Sequence, residues 1–201
     1  DRAAEAGRKV VSIGKIGDIF AHRNTGEEIK GAGHADLMAK TELALKTLPD
    51  GGLIFANYLD LDTDYGHRRD IPGAAACIED FDRRLSTLAR KLRRGDVIVF
   101  TGDHGNAEEM RDVAGGAVTS PTLSPVPLLL AGRLVDGARI RDGELRDIAP
   151  TLCALGGLSP QARGEEIVDV AHLAVEQVED SRDEPDVPGE LIADLALDEA
   201  R

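Results

Sequence analysis

Two short stretches of this 201-residue chain concentrate the residue types that hold cations. The first, LDLDTDYGHRRD at 59–70, places Asp60, Asp62, Asp64 and Asp70 around His67. The second, Thr101-Gly-Asp-His-Gly105, sets Asp103 beside His104 between two glycines. Hard carboxylate oxygen and borderline imidazole nitrogen are donors that Mn²⁺ and Zn²⁺ accept. Asp62 and His67 are five residues apart, a separation that a tight loop can close around an ion. The glycines flanking Asp103 and His104 let both side chains turn to one point. Either stretch alone also reads as a charged pair decorating a turn. Both follow directly on apolar runs, and that shared placement points to a cation site, with Asp60, Asp64 and Asp70 as supports for the ligands.

The apolar runs are the strands that would position these residues. Lys9–Gly14, Leu53–Leu59, Val97–Thr101 and Val126–Ala131 are β-rich or apolar. The run at 97–101 reads as a fully buried parallel strand, and Pro127 marks the last run as an edge or entry position. Between them lie helical patterns. Residues 35–48 can bring Leu37, Leu43, Ala44 and Leu48 to one face, and Ile78, Phe81, Leu85, Leu88 and Leu92 recur at helical spacing from Pro72 to about Arg94. A third, short helix is predicted over 147–155. Strand and helix alternate from 9 to about 160, which predicts an α/β unit with a mostly parallel sheet. Ligands collect at the carboxyl ends of such strands, where both acidic stretches fall. The long, glycine-rich connection at 102–125 reads as functional for the same reason.

Composition narrows the class of protein. Net charge is −13, from 37 acidic and 24 basic residues, so the surface repels a phosphate backbone and no nucleic-acid partner is expected. Cys77 and Cys153 read as buried free thiols suited to a reducing cytosol. No apolar run approaches the roughly 20 residues of a bilayer span, and no charged-then-apolar leader opens the chain. The expectation is a soluble, cytoplasmic protein with no membrane partner. Acidic residues crowd the sequence after Arg163, so the chain divides into a core at 1–163 and a solvated acidic extension at 164–201. His22 and His34 sit in polar segments and read as solvent-facing. Arg68 and Arg69 suit either a bound phosphate or pairing with Asp62, Asp64 and Asp70.

Three segments together resemble the phosphopentomutase family, metal-dependent phosphoryl-transfer enzymes of the alkaline phosphatase superfamily. They are Gly14-Lys-Ile-Gly-Asp-Ile-Phe20, Asp60-Leu-Asp-Thr-Asp-Tyr-Gly-His-Arg-Arg-Asp70 and Thr101-Gly-Asp-His-Gly105. The likeness runs more loosely to about residue 167. Residues 101–110, TGDHGNAEEM, are also similar to cofactor-independent phosphoglycerate mutase, a member of the same superfamily. The resemblance implies a three-layer αβα fold with a mostly parallel sheet, an alkaline-phosphatase-like core lacking its amino-terminal portion and cap domain. It implies a two-metal Mn²⁺ site, with Asp103 and His104 on one ion and Asp62 and His67 on the other, and Lys15 facing the substrate phosphate. The implied substrate is a small phosphorylated sugar, its phosphoryl group moving between the 1- and 5-oxygens of ribose.

The chain departs from the family in three places. Nothing in it corresponds to the family's first metal-binding aspartate or to its threonine nucleophile, so no catalytic nucleophile is assigned. Pro121 stands where the family carries a histidine that completes the second metal. Glu108, Glu109 and Asp112 are the nearby carboxylates that could replace it. Three readings follow: a fragment or one subunit of a phosphopentomutase-like isomerase whose other half supplies the nucleophile, with a complementary chain or a homo-oligomer as the partner; a non-catalytic relative that binds metal or sugar phosphate or serves as an interaction module; or a phosphoglycerate-mutase or phosphatase type of enzyme.

Overall fold

A computed structural model describes residues 2–109, 111–118, 120–159, 164 and 168. The elements are α1 (Arg2–Glu5), β1 (Val10–Ile13), α2 (Ile16–Ile19), β2 (Glu27–Ile29), α3 (Gly33–Thr47), β3 (Leu53–Ala56), α4 (Ile71–Ala89), β4 (Ile98–Thr101), β5 (Leu128–Ala131) and α5 (Ile148–Leu155). A π-helical turn, Leu61–Gly66, lies between β3 and α4. The architecture is α/β, as the alternation predicts.

Three parallel strands form the first sheet in the order β2-β1-β3, with Ile13 opposite Ala56 and Ile29. Every residue of β1 is buried, because it is the central strand and is covered on both faces. Val11 and Ile13 pack on Leu37, Ala44 and Leu48 of the α3 face, with Tyr58 closing the cluster's edge. Leu43, expected on that face, is instead exposed. Its angular offset from Leu37 and Ala44 carries it over the rim. The helix ends at Thr47 because Leu48 precedes Pro49 and must be extended, and Leu48 has ψ 124°.

α4 starts where Asp70 accepts the Gly73 backbone N–H at 3.0 Å and Pro72 fills the first turn. Leu88 and Leu92 are buried as its periodicity predicts, but Ile78 is exposed and Cys77 takes the buried position beside it. Phe81 lies between the two strands that lead to the acidic stretches. Its ring is 5.0 Å from Tyr58, just after β3, and 5.5 Å from Phe100 in β4.

The structure departs from the sequence reading in further places. β4 is not a fully buried parallel strand: it pairs antiparallel with β5, Ile98 opposite Ala131, and all its residues are half-buried. Strand chemistry reports apolar surroundings but not the direction of the neighbour. β2 was not legible, since three residues with two glutamates carry no strand pattern. Cys77 is buried as expected, whereas Cys153 is only partly so. The acidic extension expected at 164–201 lies outside the described residues, apart from Gly164 and Val168. Val168 is buried and bridges antiparallel to Ile140.

Candidate metal centre

The parallel pairing of β1 and β3 sends Gly14-Lys15 and the 57–67 segment off the same edge of the sheet. Gly14 has φ +82°, and a Cβ there would sit 2.6 Å from the Asn57 carbonyl oxygen, so only glycine lets the two exits lie together. Lys15 is exposed at the start of α2, where an ammonium can meet an incoming anion.

The π turn explains the five-residue spacing. The His67 backbone N–H donates to the Asp62 carbonyl at 2.9 Å, the bond that defines the wider turn, and it stacks the two side chains. His67 Nε2 lies 3.1 Å from Asp62 Oδ2. After β4, His104 Nδ1 donates to the Gly105 carbonyl at 3.0 Å, which leaves Nε2 as the nitrogen with a free lone pair. That nitrogen is 3.8 Å from Asp103 Oδ1, and the Asp103 side chain is 81% exposed.

Asn106 joins the two halves. Its amide nitrogen donates to Asp62 Oδ1, and its amide oxygen accepts from Arg69 Nη1 at 3.2 Å. It is buried, and Gly66 makes the room: a Cβ at 66 would stand 2.8 Å from the Asn106 nitrogen and 3.1 Å from the Leu61 carbonyl oxygen. Sequence reasoning missed Asn106. The only available signal was its place next to Asp-His-Gly. Arg69 is held inward at φ +59°, while Arg68 is solvent-facing and 3.6 Å from Asp64.

The supporting aspartates separate in role. Asp70 caps α4 and Asp64 faces Arg68. Asp60 binds His34, which is enclosed rather than solvent-facing as the sequence suggested. His22 is exposed and contacts Glu28 at 2.9 Å.

Pro121 is exposed, and the residue after it is tied to the Asp-His-Gly loop: the Thr122 N–H donates to the Gly105 carbonyl at 2.9 Å. The Thr122 hydroxyl donates to Glu108, whose other oxygen accepts the Asn106 N–H at 2.8 Å. The Thr122 hydrogen bond leads the contacts that hold the Glu108 carboxyl down at about 2. Asp112 accepts the N–H groups of Ala114 and Gly116 at 2.9 and 2.7 Å. Glu108 and Asp112 are therefore engaged in closing the loop itself.

The donors fit a divalent ion as two pairs. Metal bonds of about 2.0–2.2 Å at roughly a right angle place two donors about 3 Å apart, which matches Asp62 and His67. The wider Asp103–His104 separation is still within the span of about 4 Å that two such bonds reach. Among the described residues, no group of three or more His, Cys, Asp or Glu converges on one ion.

Comparisons with known proteins place this α/β core in a family. The chain belongs to the Metalloenzyme superfamily, whose family model matches residues 4–160, so its fold is the three-layer αβα fold expected, and a divalent metal is the implied cofactor. It is 47% identical over 165 residues to the phosphopentomutase of Methylobacterium radiotolerans, an alignment covering 82% of this chain and 39% of that protein. The phosphopentomutase of Methylobacterium sp. (strain 4-46) is 47% identical over 161 residues, 79% of this chain and 38% of its own length. That of Allorhizobium ampelinum is 44% identical over 168 residues, 82% and 39% respectively. The chain thus spans about two fifths of the length of these curated relatives. Among the described residues no helix is long and apolar enough to cross a membrane.

Proposed function

We propose that this chain supplies the metal-holding part of a phosphopentomutase, interconverting ribose 1-phosphate and ribose 5-phosphate together with sequence of the kind its longer relatives carry. The observation that carries the reading is the Asp62–His67 pair on its π turn, tied through Asn106 to the loop of Asp103 and His104. Asp62 and His67 hold one Mn²⁺, Asp103 and His104 the other. Divalent ions held there would supply charge neutralisation at the phosphate and a fixed orientation for the attacking and leaving oxygens.

The chain's own residues do the positioning. Lys15 attracts the dianionic phosphate as a point charge at the mouth of the sheet. Asn106 fixes the Asp62 carboxylate, and the Gly105 carbonyl fixes the His104 ring. With Pro121 in place and Glu108 engaged by Thr122, neither would offer a further donor to an ion held by Asp62 and His67. The attacking group in this reading lies outside these 201 residues.

Isothermal titration of the chain with Mn²⁺ tests the first half of the proposal, with Asp62→Asn and Asp103→Asn as controls that each abolish one binding event. Isomerisation of ribose 1-phosphate by the full-length gene product, with Mn²⁺ and a bisphosphate primer, tests the second. Tight metal binding without turnover would favour the non-catalytic reading. Turnover of phosphoglycerate in place of the pentose phosphate would favour the third.

A further inference from the structure

Apart from the two candidate ligand pairs, an enclosed histidine is gripped by two aspartates. His34 opens α3 with a side chain only 13% exposed. Its Nδ1 is 3.0 Å from Asp60 Oδ2, and its backbone N–H donates to the same oxygen at 2.7 Å. On the far side of the ring, Nε2 is 2.8 Å from Asp80 Oδ2 in α4. Cys77 Sγ lies 3.6 Å from Nδ1, and the Phe81 ring meets the imidazole edge-on at 6.3 Å.

Both ends of this bridge are anchored. Asp80 also accepts from Arg84 Nε at 2.6 Å and Arg83 Nη2 at 3.0 Å, and these bonds, with that from His34, hold its carboxyl well below the usual range. Asp60 is the residue from which the π turn springs. A carboxylate has no hydrogen to offer, so the two ring contacts are hydrogen bonds together only when both ring nitrogens donate.

We propose that His34 is a positioning residue that ties the start of the π turn to α4 and thereby sets the Asp62–His67 pair at ligand spacing. Among the described residues the turn has no sheet partner to define its rotation. Its ties to neighbouring elements include Asn106 at Asp62, the cap at Asp70 and the His34 bridge at Asp60. Three ties at 60, 62 and 70 fix a short segment that one would leave free to swivel. The metal-binding consequence rests on the function proposed above; the geometric one does not.

Hydrogen exchange and metal titration on the 201-residue chain test the two separately. In His34→Ala and in Asp80→Ala, the His67 and Asp70 backbone amides, which close the turn, are expected to exchange at least tenfold faster, with the α3 core amides unchanged. Asp80→Ala leaves His34 in place, and His34→Gln offers a milder variant should alanine unfold the chain. Mn²⁺ affinity is expected to fall about tenfold in each single variant and no further in the double variant, since outer contacts of this kind typically contribute 10–100-fold. Additive losses would indicate independent packing effects and overturn the bridge. Unchanged turn amides in all variants would overturn it outright. If the turn amides respond while the wild-type chain binds no Mn²⁺, the positional inference stands and the proposed function fails.

Discussion

The Asn106 side-chain amide donates to Asp62 across 44 residues of sequence, making one side chain the link between the two acidic loops. A buried amide so placed fixes which oxygen of Asp62 remains for a cation. Replacing it with alanine frees the carboxylate to rotate and leaves the Arg69 guanidinium without its acceptor.

Asn106→Ala is therefore expected to lower Mn²⁺ affinity about 10–100-fold, with a smaller change in melting temperature. Parallel calorimetric titration and thermal unfolding measure the two effects. Wild-type affinity in the variant would remove Asn106 from the site.

Gly66→Ala tests the same link from the opposite side. The added methyl meets the Asn106 nitrogen and the Leu61 carbonyl oxygen at 2.8 and 3.1 Å. The expected result is loss of the Asn106–Asp62 bond and an affinity at least tenfold weaker, of the order seen for outer-contact losses. Gly95, which has open space around its Cβ position, serves as the neutral control.

Acid should release the connection that carries the second pair. Glu108 ordinarily titrates at 4.5 and is held at about 2, chiefly by Thr122. Its folded value is depressed, so the stabilisation is fully present above pH 4.5 and is lost as pH falls towards 2. The Asn106 and Thr122 amide resonances should shift with a midpoint at about 2, and in Glu108→Gln the dependence should vanish. A shift centred near 4.5 in the wild type would show that Thr122 does not hold the carboxyl.

The core makes a plainer demand. Ile13 is fully buried in the central strand, and Ile13→Ala is expected to cost about 2–5 kcal/mol. Denaturant unfolding reads this directly. A cost below 1 kcal/mol would mean that β1 is less enclosed than described.

The fold's class was legible because its signals are local. Periodicity located α3 and α4, and apolar runs located β1, β3, β4 and β5. The direction of β4 was not legible, because Val, Ile and Phe pack equally well beside either kind of neighbour. Asp62 and His67 were legible as a pair from their spacing, although only the structure shows that a π turn makes five residues a single step. His34 was misread, since a polar neighbourhood in sequence says nothing of Asp80 arriving from 46 residues away. Asn106 was hidden for the same reason: its importance lies in a partner that no local pattern names.

The outermost position of β3 carries a practical consequence. Among the described residues β3 pairs on one side only, with β1, and Phe55 is exposed on it; a strand margin of this kind recruits whatever extended segment comes near. Purified alone, these 201 residues should self-associate as concentration rises. Addition of a longer polypeptide that lays its own strand along that margin should suppress the stickiness.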